Sequence, residues 1–143
     1  MNISIVYWSG TGNTKSMAEA VAKGAGAEGA EVKLMEVSAA DAKSLAQENA
    51  FALGCPSMGA EQLEEAEMEP FVEELIPLVS GRHILLFGSY GWGDGEWMRD
   101  WEDRMKATGA VLIGGEGIIA NETPDDEILL KLEEAGRELA QLA

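Results

Sequence analysis

The sequence predicts a single globular domain with an α/β fold built on a parallel β-sheet, and three observations support this prediction. Short apolar runs alternate with segments of helical periodicity along the chain, as in strands joined by crossover helices. The 143 residues match the size of one domain with its own core, so we expect a single domain over residues 1–143. Hydrophobic residues make up 46% and charged residues 25% of the chain, as is usual for globular proteins.

Five segments are predicted to form strands. Most are short runs rich in branched or aromatic apolar residues, which are typical of strands buried on both faces. Glycines interrupt the fifth run near its centre. The segments are Asn2–Trp8, Glu31–Val37, Asn49–Cys55, Arg82–Ser89 and Ala110–Ile119.

Helical periodicity predicts five helices between and after these strands. Pro70 suits the first turn of its helix, whereas Pro77 is expected to disturb the end of that helix. We expect Gly109 to end the fourth helix. Thr123 is predicted to cap the fifth helix, with Pro124 at its first position. The helices are expected over residues 13–24, 40–46, 69–79, 95–107 and 124–142.

Parallel sheets bind ligands beyond the carboxyl ends of their strands, where the strand order reverses. The segments that follow strands one, three and four are therefore the places to search for a site. They are Ser9–Thr14, Pro56–Glu64 and Tyr90–Gly95, and all three have an unusual composition.

The segment Ser9–Thr14, with the sequence SGTGNT, has the features of an anion site. Gly10 and Gly12 permit tight bends and close approach of the backbone, and the helix start presents N–H groups to an anion. A triphosphate loop needs a lysine where Asn13 stands, and a dinucleotide loop needs a glycine where Lys15 stands. The segment therefore favours a monophosphate held by neutral donors. The alternative is a helix start that is merely well capped.

The segment SYGWGDG, residues 89–95, places one tryptophan among glycines at the end of a strand. Tryptophan normally packs in a core, but Trp92 has no local side chains to hold it there. We interpret Trp92 as one face of a slot for a planar ring; the alternative is packing against residues distant in sequence. Trp97 and Trp101 are spaced four apart on the next helix and are expected to pack in the core.

The segment Pro56–Glu61, with the sequence PSMGAE, is predicted to supply the opposite face of that slot. Met58 has a soft, polarizable side chain that suits contact with a ring, although it would equally suit a core. Met58 to Glu61 resembles a four-residue turn in which Gly59 can adopt positive φ or reverse its peptide plane. Glu61 would then accept a hydrogen bond from a ring N–H; the alternative is a solvated acid.

Three motifs together make the chain resemble a short-chain flavodoxin of the clostridial type. They are SGTGNT, GCPSMGAEQLE and FGSYGWGDGEWM, in this order and spacing. The resemblance extends over essentially the whole chain. It implies a three-layer, doubly wound, five-stranded parallel sheet with strand order 2-1-3-4-5, and a noncovalently bound FMN.

The resemblance also implies a role for each motif. The first motif would hold the phosphate, and Trp8 would lie near the ribityl chain and the phosphate. Met58 and Trp92 would cover the two faces of the isoalloxazine ring. Glu61 would accept a hydrogen bond from N3, and the carbonyl of Gly59 would accept one from N5 after reduction. The expected cofactor-binding residues are Trp8, Ser9, Thr11, Gly12, Asn13, Thr14, Pro56, Ser57, Met58, Gly59, Ala60, Glu61, Ser89, Tyr90, Gly91, Trp92 and Gly93.

The function implied by the resemblance is low-potential, one-electron transfer, with the protein shuttling between the semiquinone and the hydroquinone of FMN and not acting as an enzyme. Residues 56–81 contain seven acids and no lysine or arginine, and such surroundings disfavour an anionic reduced flavin. A β-carbon at Ala60 is expected to resist reversal of the preceding peptide. The alternative is a small FMN-dependent NAD(P)H reductase of flavodoxin-like fold, although the chain has little spare length for a substrate pocket.

Charge and composition narrow the choice of partners. The chain has 10 basic and 26 acidic residues and a net charge of −16. This charge disfavours nucleic acids and anionic membranes and favours redox proteins with basic patches. No apolar run approaches the ~20 residues of a membrane span. We expect a cytoplasmic monomer, because Cys55 is the only cysteine and no signal peptide precedes the first strand.

Other classes of site are disfavoured by single residues. Strands one and three end in Trp8 and Cys55, not in the acids that a response-regulator receiver needs. No arginine follows Cys55 at the spacing of a phosphatase loop, so we expect this cysteine to be a small buried hydrophobe. The only histidine, His83, begins a strand, and we expect no metal site.

Overall fold

The computed structural model describes residues 1–143 and contains one parallel sheet. Its strands are β1 Asn2–Tyr7, β2 Glu31–Glu36, β3 Ala50–Gly54, β4 His83–Tyr90, β5 Val111–Leu112 and β6 Ile118–Asn121. The strands are ordered β2-β1-β3-β4-β5, and β6 also pairs with β4. Every pairing is parallel. The predicted fold class and strand order are confirmed.

The predicted fifth strand is divided in two. A 3₁₀ turn at Ile113–Gly115 separates β5 from β6. Gly114 and Gly115 have φ values of +74° and +81°, so the backbone leaves the extended conformation there. Both pieces nevertheless lie along β4, with Val111 opposite His83 in the first pair. The edge of the sheet therefore reaches the same end as β4.

Five helices cover the two faces of the sheet. They are α1 Asn13–Ala27, α2 Ala42–Leu45, α3 Met68–Leu75, α4 Glu96–Lys106 and α5 Asp126–Leu142. Helices α1 and α5 contribute to one apolar core, and α2, α3 and α4 contribute to the other. Trp97 and Trp101 are each 1% exposed, which confirms their predicted place in the core. The segment Ile76–Leu78, which contains Pro77, is a 3₁₀ turn after α3, as expected. None of the helices is both long and apolar enough to cross a bilayer.

The start of α5 differs from the prediction. Asp125, and not Thr123, is the N-cap, because its Oδ1 accepts a hydrogen bond of 2.9 Å from the backbone N–H of Ile128. Pro124 therefore precedes the cap and does not occupy the first helical position. Residue Glu122 is held by a 2.7 Å bond from its N–H to the carbonyl of Tyr90. This contact keeps residues 121–123 beside β4 and delays the helix by two residues.

Candidate functional site

A cavity of about 500 Å³ opens at the carboxyl ends of β1, β3, β4 and β6. The sheet register brings these ends together: Tyr7 lies opposite Gly54, and Tyr90 lies opposite Asn121. Strand β1 connects to β2 on one side and is flanked by β3 on the other, so the strand order reverses here. The volume lies within the range of roughly 300–1,000 Å³ that is usual for small-molecule sites.

Three loops that are distant in sequence meet at this cavity. Nine of the expected cofactor-binding residues line it, namely Trp8, Thr11, Asn13, Pro56, Ser57, Met58, Ser89, Tyr90 and Gly91. The other expected residues belong to the same loops but do not line the cavity, and these are Ser9, Gly12, Thr14, Gly59, Ala60, Glu61, Trp92 and Gly93.

Three lining residues were not predicted from the sequence: Gly10, Glu122 and Thr123. Glu122 and Thr123 follow β6, whose end lies beside that of β4. The strand-end rule that identified the other loops would have found them if the predicted fifth strand had continued to Asn121. Glu122 has a φ of +57°, which is uncommon for a residue with a β-carbon.

Ser9 organises the first loop. Its Oγ accepts hydrogen bonds from the backbone N–H groups of Gly12, at 3.1 Å, and Lys15, at 3.3 Å. Gly12 has a φ of +97° and occupies the N-cap position of α1, which has no side-chain cap. The first-turn amides of Asn13 and Thr14 therefore lack intrahelical acceptors. These amides, with the positive end of the helix dipole, are the kind of donors that an anion requires.

Ser89 connects all three loops. Its hydroxyl lies 2.9 Å from Oγ1 of Thr14 in a buried contact, and its carbonyl accepts a 3.0 Å hydrogen bond from the N–H of Ser57. Thr14 is 1% and Ser89 4% exposed. Because these polar groups are buried and paired with each other, they fix the spacing between the loops without the help of a ligand.

The turn in the second loop is longer than predicted. Met58 and Gln62 exchange two backbone hydrogen bonds of 2.8 Å, so the turn closes at Gln62 and not at Glu61. Gly59 has a φ of +53°, as expected, and Glu61 also has a φ of +53°. Gly59, Ala60 and Glu61 therefore form the tip of the turn.

Glu61 joins this turn to the tryptophan loop. Its Oε1 accepts hydrogen bonds from the backbone N–H groups of Glu96, at 3.1 Å, and Asp94, at 3.3 Å. A β-carbon on Gly93 would collide with this carboxylate, so the glycine permits the close approach of the two loops. Trp92, in the same loop, is 52% exposed and has no place in the core.

The donor set fits a phosphate-bearing aromatic group such as FMN. The hydroxyl of Ser57 is buried without a hydrogen-bond partner and belongs to a residue of the cavity wall. Trp8, Met58 and Tyr90 give the cavity an apolar wall, and no cationic side chain lines it. Because a buried hydroxyl without a hydrogen-bond partner is costly, the hydroxyl of Ser57 is available to a polar atom of a ligand in the cavity.

The sheet is doubly wound, and the crevice lies where its strand order reverses, which is where folds of this class bind their ligands. The family model described as flavodoxin matches residues 5–136. A flavodoxin from Clostridium beijerinckii is 51% identical over 87% of this chain and 89% of its own, and one from Megasphaera elsdenii is 45% identical over the same shares.

The solved structures agree with this result. The solution structure of two-electron reduced Megasphaera elsdenii flavodoxin superposes with a TM-score of 0.87 at 42% identity, covering 95% of this chain and 98% of its own. The chain belongs to the flavodoxin family. It is an FMN-binding electron carrier and not an enzyme, and it exchanges electrons with protein partners.

Proposed function

We propose that FMN lies in the crevice with its phosphate on the first loop and its ring between the second and third loops, within one domain formed by residues 1–143. The observation that carries this proposal is the convergence of nine predicted residues from three separate loops on one cavity. The single sheet that runs through the whole chain supports the proposal of one domain.

The first loop would hold the phosphate without a cation. Thr11 and Asn13 line the cavity. The amides at the start of α1 lie at the positive end of the helix dipole, which favours an anion. Ser9 and Gly12 act indirectly by holding the loop in shape. Thr14 would offer its hydroxyl to the phosphate while it remains within reach of Ser89.

The second and third loops would enclose the ring. Met58 contributes to the apolar wall, and the half-exposed Trp92 is available to cover the opposite face, where aromatic stacking contributes about 0.5–1.5 kcal/mol beyond area burial. The backbone N–H groups of Gly91 and Gly93 would donate hydrogen bonds to ring oxygens. Pro56, Ser57 and Tyr90 complete the walls of the cavity.

The turn at Gly59–Glu61 would tune the affinity for electrons. FMN, when bound, supplies reversible one-electron transfer through its ring. Gly59 can present its carbonyl to the ring, and one such hydrogen bond contributes about 0.5–1.5 kcal/mol, which corresponds to tens of millivolts. Ala60 opposes the reversal of that peptide because of its β-carbon. Glu61 uses only Oε1 on the tryptophan loop, so Oε2 is available to a ring N–H.

The acidic surroundings would give the second one-electron step a strongly reducing potential. The carrier would use that step to exchange electrons with its partners. The cavity wall contains a carboxylate, Glu122, and no cation. Each acid at about 10 Å from an anionic ring costs about 0.4 kcal/mol in a water-like dielectric, before salt screening. Several acids of residues 56–81 at such distances would together lower the potential of the second step.

The partners would carry basic patches. A second cavity of about 390 Å³ lies beside the turn, and its lining includes Glu61, Glu69 and Asp100. Its one cation, Arg104, is engaged by Glu69 through two bonds of 2.8 and 2.7 Å. The surface charge would therefore steer positive partners.

The oligomeric state and the location are proposed on two further observations. The net charge of −16 supports a monomer through self-repulsion. The buried free thiol of Cys55 supports a reducing, cytoplasmic setting.

A spectroelectrochemical titration of the FMN-loaded protein tests this proposal. We expect two separated one-electron steps, the second at markedly lower potential than that of free FMN, and no steady consumption of NADH. A single two-electron step, or sustained NADH oxidation, would contradict the carrier and favour a reductase.

A further inference from the structure

Glu64 is unusual among the acids of this chain because it is buried. Glu64 is 7% exposed. The other buried polar residues, Ser4, Thr14 and Ser89, are uncharged. The three ion pairs of the structure do not involve it. A buried charge without a counterion needs hydrogen-bond donors to offset its lost hydration.

Backbone amides supply these donors. Oε1 of Glu64 accepts hydrogen bonds from the N–H groups of Glu67, at 2.6 Å, and Met68, at 3.1 Å. Oε2 accepts one of 2.9 Å from Ala66. Burial raises the pKa of the Glu64 carboxyl, but the three amides outweigh burial and the net pKa is lowered. The ionised carboxylate thus caps α3, which begins at Met68.

The backbone of Glu64 closes the loop that carries the turn. Its N–H donates to Sγ of Cys55 at 3.4 Å. Cys55 is itself fixed at the end of β3, because its N–H donates to the carbonyl of Phe87 and its carbonyl accepts from Nε1 of Trp97, both at 3.1 Å. Cys55 and Glu64 therefore form a neck at the base of loop 56–63, and this pair is called the neck below.

The neck and the turn form two successive closures of the same loop. The outer closure is the double hydrogen bond between Met58 and Gln62. The inner closure joins the strand end to α3, whose Phe71, Val72 and Leu75 are buried in the core. Loop 56–63 is thus held between two elements that are themselves anchored.

We propose that Glu64 is a positioning residue for the flavin site: its ionised carboxylate, by capping α3, and its N–H, by bonding to Cys55, hold loop 56–63 in the conformation that receives FMN. This inference rests on the proposed role of that loop in FMN binding. A loop that is ordered in advance loses less conformational entropy when the cofactor binds. Neither residue contacts the cavity, so the effect is indirect.

Replacement of neighbouring acids separates positioning from charge. Glu64→Gln removes one charge and places an NH₂ group against an amide that needs an acceptor. Glu65→Gln removes one charge from the exposed adjacent position, which caps no helix. Removal of a negative charge alone strengthens binding of anionic FMN. We therefore expect Glu65→Gln to bind FMN as tightly as the unchanged protein or more tightly, and Glu64→Gln to bind it about tenfold more weakly.

Apoprotein titrated with FMN, followed by quenching of flavin fluorescence, gives both dissociation constants, and the same samples give thermal midpoints and the two one-electron potentials. A purely structural cap would lower the thermal midpoint of Glu64→Gln and leave its FMN affinity at the level of Glu65→Gln, which would overturn the proposal. A first potential that shifts in Glu64→Gln and not in Glu65→Gln supports it.

A second pair of variants, both at Cys55, tests the other side of the neck without changing the net charge of the protein. Cys55→Ala removes the acceptor for the N–H of Glu64, and Cys55→Ser retains one. We expect severalfold weaker FMN binding for the alanine variant and recovery in the serine variant. Equal affinities in this pair would contradict the neck even if Glu64→Gln did not fold. Failure of the unchanged protein to bind FMN would instead contradict the proposed site itself.

Discussion

The replacement of Thr14 by valine provides a test of the phosphate site with a calculable magnitude. Valine has nearly the shape of threonine but no hydroxyl, and Thr14 is 1% exposed with its Oγ1 2.9 Å from Ser89. If this hydroxyl also bonds to the phosphate, its loss removes a hydrogen bond to a charged group, which contributes about 1.5–3 kcal/mol. That free energy corresponds to roughly ten- to 150-fold weaker FMN binding.

Riboflavin separates phosphate contacts from all others, because it carries the same ring without the phosphate. Titration of apoprotein with each flavin, followed by fluorescence quenching, should show that Thr14→Val weakens the binding of FMN and leaves the binding of riboflavin within about twofold of its original value. Equal losses for the two flavins would refute the assignment of Thr14 to the phosphate, as would an unchanged FMN affinity.

The same substitution has a separate cost to folding. It leaves the buried hydroxyl of Ser89 unpaired, and an unsatisfied buried donor costs about 1–3 kcal/mol. Removal of both hydroxyls in the double variant Thr14→Val/Ser89→Ala should restore most of the free energy of unfolding measured by denaturant titration. The loss of FMN affinity should persist in the double variant, so binding and stability are distinguished.

Three further perturbations test other parts of the site. Ala60→Gly should raise the first one-electron potential, because the reversed peptide would no longer strain a β-carbon by roughly 1 kcal/mol; an unchanged or lower potential would count against the turn. The pKa of Glu64 is lowered on folding, so its contribution to stability is complete above the ordinary value of 4.5 and disappears as the pH falls through the lowered value. Unfolding free energies measured between pH 6 and 3 should therefore fall more steeply for the unchanged protein than for Glu64→Gln. Association with a basic redox protein, followed by stopped-flow, should slow as ionic strength rises, and a rate independent of salt would exclude electrostatic steering.

Local sequence patterns predicted most of the strands and helices of the fold. Apolar runs marked β1, β3 and β4 within a residue or two, because these strands are buried on both faces. The strand order needed the resemblance, since periodicity carries no information on which strands are neighbours. The division of β5 from β6 depends on positive φ at Gly114 and Gly115, and glycine permits such a bend without requiring it.

Contacts between distant residues explain what the sequence did not predict. Thr123 and Asp125 are both good N-cap residues, and the choice between them is made by the bond from Glu122 to Tyr90. The same bond brings Thr123 to the cavity. Glu61 was one acid in an acidic run, and its role at the start of α4 arises from residues 33 and 35 positions away.

The central claim is that FMN occupies the crevice at the ends of β1, β3, β4 and β6. Addition of FMN to isotopically labelled apoprotein, followed by amide NMR spectra, tests this claim most directly. The largest shift changes should fall in residues 9–14, 56–61, 89–93 and 122–123, with little change at β2 or at the far end of the sheet. Changes centred on the acidic cavity between Glu69 and Asp100, or spread without a focus, would contradict it.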